Sequence, residues 1–85
     1  MTCFKVVAPK SVEKQLFALP ESVIERILAK IEALTADVFH AGGKRLKGST
    51  NWSLRVGTYR IIYDIDEKES TIILRSIAHM KDIYR

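Results

Sequence analysis

From Trp52 to Ile65 apolar and polar side chains alternate almost one for one, and the alternation is interrupted once, at Gly57-Thr58. Trp52, Leu54 and Val56 fall against Ser53 and Arg55; Tyr59, Ile61, Tyr63 and Ile65 fall against Arg60, Ile62 and Asp64. A period of two marks a half-buried strand. A two-residue turn with glycine first, where a positive φ is tolerated, closes two such strands into a hairpin. That geometry fixes a register in which Val56 lies opposite Tyr59 and Arg55 opposite Arg60 on one face. Like charges directly opposed repel by about 0.2–1 kcal/mol, so the pair calls for an anion between them. Two guanidinium forks suit a phosphate, which arginine grips through two parallel hydrogen bonds. The plain alternative is that both arginines splay into water, or that Asp64 neutralises one of them.

The charge distribution supports an anionic partner. From Ala41 to Arg60 there are five basic residues (Lys44, Arg45, Lys47, Arg55, Arg60) and no acidic one. The forty residues before carry five of each sign, and the last twenty-five carry four basic and five acidic. The net charge of +4 therefore originates in one segment. A localised basic patch suits nucleic acid, a phosphate surface or an acidic protein segment.

The remaining chain supplies a core for this hairpin. Phe4 to Ala8 reads as a first strand, stopped by Pro9, which has no amide to donate. Ser11 is a candidate cap for a helix starting at Val12, carrying Leu16 and Leu19 and ending at Pro20. Pro20 fits the first turn of a second helix, with Glu21 at its positive end. There Val23, Ile24, Ile27, Leu28, Ile31 and Leu34 form a stripe of 3.6 period, expected to be core against a sheet. So short a link predicts an antiparallel helical hairpin. Asp37 to Gly43 reads as a loop, with Val38 and Phe39 turned inward and His40 on the surface. Asp66 to Ser70 is a charged turn before a last strand, Thr71 to Ile77. Its two apolar sets, Ile72/Leu74 and Ile73/Ile77, predict a central strand covered on both faces, with Arg75 emerging among polar partners.

The expected class is α+β: a first strand, two helices and a three-stranded antiparallel meander, with the helices on one face of a mostly antiparallel sheet. Eighty-five residues support a single domain, residues 1–85, with one modest core. Cys3 is the lone cysteine; it forms no intramolecular disulfide and, near a strand, is expected to pack. No apolar run approaches the length of a membrane span and no charged-then-apolar leader is seen, so the expectation is a soluble cytoplasmic protein with no membrane partner. One cysteine and two distant histidines make a metal site improbable, and no cofactor motif is present.

The element order, together with Leu46-Lys47-Gly48, Trp52-Ser53-Leu54-Arg55-Val56-Gly57-Thr58-Tyr59-Arg60-Ile61-Ile62-Tyr63 and His79 to Tyr84, resembles the RelE/ParE family of toxins over essentially the whole chain. The resemblance implies a toxin silenced by a cognate antitoxin in a heteromeric complex that binds its operator through the antitoxin. In the RelE-like branch, which is favoured here, the toxin enters the ribosomal A site and cuts mRNA without metal or cofactor. The ribose 2′-hydroxyl attacks the adjacent phosphate, which requires a base, cations for the developing charge and an acid for the leaving oxygen. The ParE-like branch instead poisons DNA gyrase, and a catalytically weakened toxin that serves in operon repression is a further alternative. Carried onto this chain, Arg60 matches the phosphate-binding arginine and Tyr84 the C-terminal tyrosine near the substrate. His79 matches a histidine that some members use as acid or base, a side chain suited to proton exchange near neutral pH. Lys44, Arg45, Lys47, Arg55 and Lys81 are the expected RNA-binding cradle, positioning the backbone rather than reading bases. The chain departs from the pattern where Asn51 and Ser53 replace two lysines, Met80 a common arginine and Thr58 a common aspartate. The nuclease reading therefore needs Arg55, Arg60, His79 and Tyr84 to face one shared hollow.

Overall fold

The computed structural model describes residues 3–38, 43–45 and 51–83. Lys47 and Tyr84, together with Phe39 and His40, lie outside the described residues. Eight elements follow in order: β1 (Lys5–Val7), α1 (Lys10–Phe17), α2 (Glu21–Ala36), β2 (Lys44–Arg45), β3 (Trp52–Val56), β4 (Tyr59–Asp66), β5 (Thr71–His79) and α3 (Met80–Ile83). They form a five-stranded mixed sheet of order β1-β5-β4-β3-β2, in which β1 runs parallel to β5 and the other pairs are antiparallel. The expected α+β class holds. Two short elements add to it: β2, which extends the meander at one edge, and α3, which follows the last strand.

Both long helices start on a proline rather than on a capping hydroxyl. The carbonyl of Pro9 accepts the amides of Val12 and Glu13, and that of Pro20 accepts those of Val23 and Ile24. Neither helix has a side-chain cap. Ser11, expected to cap, instead lies within α1, because Pro9 already holds the extended φ/ψ of a cap and its carbonyl takes the first bonds.

One face of the sheet and one stripe of each helix make the core. Val12 and Leu16 come from α1, Ile27, Ile31 and Leu34 from α2, and Leu54, Val56, Ile61, Tyr63, Ile72, Leu74 and Ile77 from the sheet. Val38 is buried with them, as the loop reading required. Val23 and Ile24 pack at the margin, whereas Leu28 is 47% exposed and falls off the expected stripe. Cys3 is exposed rather than packed.

The register of β5 corrects the reading of its two apolar sets. Ile62 pairs with Ser76 but Tyr63 pairs with Leu74, so Arg75 is an extra residue bulged out of the ladder. A bulge shifts the side-chain alternation by one. Ile72, Leu74 and Ile77, which strict alternation would split between faces, therefore all enter the core, with Ile65, Tyr63 and Ile61 as their partners on β4. β5 is central, flanked by β1 and β4, but only its inner face carries the buried core. β1 pairs with β5 only at Thr71, Ile72 and Ile73. Beyond it the amide of Ile77 donates to Oε1 of Gln15 on α1 at 2.9 Å.

Candidate functional site

The hairpin closes as its sequence dictates. Val56 pairs with Tyr59 and Arg55 with Arg60, and Gly57 takes φ +61°, the conformation for which glycine is needed at the first turn position. Side chains at opposed positions share a face. Arg60 therefore stands with Arg55 and Ala78 on the outer face, away from the helices, and Ser53, Ile62 and Ser76 form the next row. Lys44 pairs with Ser53 and extends this row at the sheet edge. The cross-strand neighbours Ser53, Ser76 and Ala78 are small, so the Arg60 guanidinium is set among short side chains with its Nε buried.

The third row introduces a polar relay. Asn51 donates through Nδ2 to Oδ1 of Asp64 at 2.6 Å, and Arg75 donates through Nε to Oδ2 of the same carboxylate at 2.6 Å. The bulge is what brings Arg75 to the outer face, and it meets the polar partners expected of it. Both oxygens of Asp64 are thus engaged by groups other than Arg55. Asn51 braces that carboxylate, and Ser53 is buried.

Other expected site residues separate. Arg55 has the register predicted for it, but its Nε donates to the carbonyl of Gly57 at 3.2 Å, turning the guanidinium back over the hairpin turn. There it lines an open groove of about 750 Å³ between α2 and the end of β3, with Arg26 and Lys30 as the other cations. Arg45 pairs with Trp52, so it takes the opposite face from Lys44, and it borders a recess where Asp64, Asp66 and Glu67 outnumber the one other cation, Lys68. That acidic surrounding is a poor place for a phosphate. Lys81 is exposed at the start of α3.

His79 corrects the expectation of one shared hollow. It pairs with Tyr59, whose ring it meets edge-on at a centroid distance of 5.1 Å, on the face opposite to that of Arg60. Its Nδ1 accepts the amide of Lys81 at 3.1 Å, leaving Nε2 as the protonated nitrogen. The cause is the strict alternation of β4: Tyr59 and Arg60 are consecutive, and their partners His79 and Ala78 are too. Sequence reasoning also missed Arg26 and Lys30, although their spacing of four on α2 puts both on one helix face.

The fold has known counterparts. Residues 6–84 match the family model described as the ParE toxin of the type II toxin–antitoxin system parDE, and the chain belongs to that family. Toxin RelG of Mycobacterium tuberculosis is 44% identical over 34 residues, a stretch covering 40% of this chain and 39% of that relative. The fold superposes on the RelBE2 toxin–antitoxin complex of M. tuberculosis with a TM-score of 0.83 at 24% identity, covering 93% of both chains. For the archaeal RelE–RelB complex of Pyrococcus horikoshii the TM-score is 0.80 at 26% identity, covering 93% of this chain and 96% of that one. The RelB–RelE complex of Methanococcus jannaschii gives 0.75 at 29%, covering 92% and 94%. The architecture is that of RelE toxins.

Proposed function

We propose that this toxin is a ribosome-dependent mRNA endonuclease of the RelE-like kind, held inactive by a cognate antitoxin. The observation that carries the reading is the outer sheet face: Arg60 sits among small side chains, with Lys44 in the neighbouring row and Asp64 already taken by Asn51 and Arg75. A nucleotide phosphate laid on this face comes within reach of Arg60 and Lys44. Its guanidinium stabilises the charge that grows as the 2′-hydroxyl attacks the phosphorus and the 5′-oxygen leaves. Two proton transfers remain, one from the attacking hydroxyl and one to the departing oxygen. Tyr84 is assigned to both, its phenol oxygen taking the 2′-hydroxyl proton as its own proton passes to the departing 5′-oxygen. His79 is assigned instead to bracing Tyr59 and the start of α3, because its register directs it to the other face, so the nuclease reading gives up the hollow shared with His79 and rests on Arg60. Lys44 and Lys81 supply sequence-independent attraction for the RNA backbone.

A second reading, a gyrase inhibitor that cuts nothing, is favoured by the parDE description of the matching family model and by the separation of His79 from Arg60. Induction of the toxin in a sensitive bacterial host separates the two. The nuclease reading requires growth arrest with new mRNA 5′ ends, mapped by primer extension, at positions occupied by ribosomes. Arrest with double-strand DNA breaks and intact mRNA overturns it in favour of gyrase.

A further inference from the structure

We propose that Arg75 is a second phosphate-binding residue of the outer face, gripping a phosphate that flanks the one at Arg60 and so setting the register of the bound strand. The identity of that strand, an RNA, rests on the nuclease reading. Arg75 is absent from the cradle expected of this chain.

Arg75 owes its position to the bulge. β4 and β5 pair residue for residue from Tyr59/His79 to Ile62/Ser76, and the ladder resumes at Tyr63/Leu74, which leaves Arg75 with no opposite number. Bulges re-aim a side chain and are frequent beside active sites. Here the bulge delivers a guanidinium to the outer face of a strand whose other outward residues nearby, Ile73, Ser76 and Ala78, carry no charge.

The guanidinium is held on one side and open on the other. Among the described residues Arg75 bonds Asp64 alone, through Nε at 2.6 Å. Asn51 occupies the other oxygen of Asp64, which fixes the carboxylate and with it the guanidinium. The Arg75 side chain is 52% exposed and that of Asp64 19%, so what the pair presents to solvent is chiefly guanidinium. The two terminal nitrogens keep their N–H donors for a ligand, in the planar fork that matches a phosphate. Arg75 lines no part of the acidic recess beside Arg45. An exposed ion pair adds little to stability, so stability alone is a weak reason for interrupting a central ladder.

The spacing decides which phosphate is gripped. Arg60, Ile62 and Asp64 succeed one another on the outer face of β4, so Arg75 stands two rows from Arg60. That separation is about 13 Å along the strand, at a rise of about 3.3 Å per residue. Arg60 is seated by its buried Nε and Arg75 by Asp64, so the two forks take separate phosphates of one chain. Between them lie Ile62 and Ser76, apolar or small side chains over which a nucleoside passes.

The test uses the full chain and a single-stranded RNA oligonucleotide with 2′-O-methyl riboses, which lacks the attacking hydroxyl, so binding is read apart from cleavage. Arg75→Ala, with an unchanged melting temperature, should bind about fivefold or more weakly whatever the base sequence. Its salt slope should be smaller by about 0.7. Replacing the phosphates one at a time by neutral methylphosphonates should weaken the parent at two linkages. Arg75→Ala should be indifferent to one of them and Arg60→Ala to the other. On programmed ribosomes Arg75→Ala should raise KM more than it lowers kcat, the reverse of Arg60→Ala. Parental affinity and salt slope in Arg75→Ala, equal sensitivity of parent and variant to every methylphosphonate, or an oligonucleotide that does not bind the parent each overturn the proposal. Arg75-dependent binding by a protein that leaves mRNA uncut sinks the nuclease reading and leaves this phosphate site standing. Cleavage by Arg75→Ala at the parental KM does the opposite.

Discussion

The hydroxyl of Tyr63 is buried in the core beside Gly43 and has no hydrogen-bond partner among the described residues. Such an orphan group costs about 1–3 kcal/mol of desolvation, so Tyr63→Phe should leave stability unchanged or raise it by about 1 kcal/mol. Burial also pushes the Tyr63 phenol above its ordinary value. The unfolded chain then releases that proton at a lower pH than the folded one. The resulting stabilisation is complete below the ordinary tyrosine range and is lost as pH rises through it towards the raised folded value. Urea unfolding at neutral and strongly alkaline pH should show a smaller alkaline loss in Tyr63→Phe than in the parent. Gly43→Ala is the converse test: its Cβ would overlap the Tyr63 hydroxyl, and overpacking of this kind costs about 1–3 kcal/mol, read from the same unfolding curves. At this scale the sequence was informative about which residues alternate and silent about where their tips go. The opposition of Arg55 and Arg60 was legible, because a two-residue turn admits one register. The bond from Arg55 to Gly57 was not, because a long side chain has several rotamers of similar energy and tertiary surroundings choose among them.

The elements fit together through two devices that periodicity alone does not announce. The first is the bulge at Arg75, which moves Leu74 and Ile77 onto one face and Arg75 onto the other. A reader of the sequence sees two offset apolar sets and infers burial on both faces; only the pairing with β4 reveals that the strand changes phase. The second is Gln15, whose side chain satisfies the amide of Ile77 beyond the short strand β1. Gln15→Ala should cost about 1 kcal/mol, because it strips a partner from a part-buried backbone donor. Faster hydrogen exchange at the Ile77 amide is the direct readout. Gly57→Ala tests the turn. A non-glycine residue at φ +61° carries about 1–2 kcal/mol of strain, and a matching drop in unfolding free energy is expected. The helix starts were legible as to place, since prolines mark both, but not as to mechanism. Ser11 has the chemistry of a cap, yet Pro9 reaches that position first.

At the scale of the whole molecule the charge is polarised along the sheet. The hairpin end carries Arg26, Arg55 and Arg60, while the opposite end mixes Asp64, Asp66, Glu67 and Glu69 with Arg45, Lys68 and Arg75. This arrangement orients a polyanion towards the hairpin before any contact forms. The same polarity brings two different surfaces into the basic end, the outer face around Arg60 and the groove beside α2. The net excess of basic residues was visible in the sequence, but its division between two faces follows from the pairing of β3 with β4. The proposed chemistry rests on Arg60, so the most direct measurement is cleavage of a defined mRNA on programmed ribosomes by the purified parent, Arg60→Ala and His79→Ala. Removing a group that stabilises transition-state charge costs about 10²–10³ in rate. Arg60→Ala is expected to lose that much, with unchanged thermal stability, and His79→Ala less than about tenfold. Parental cleavage by Arg60→Ala would rule out this role for Arg60.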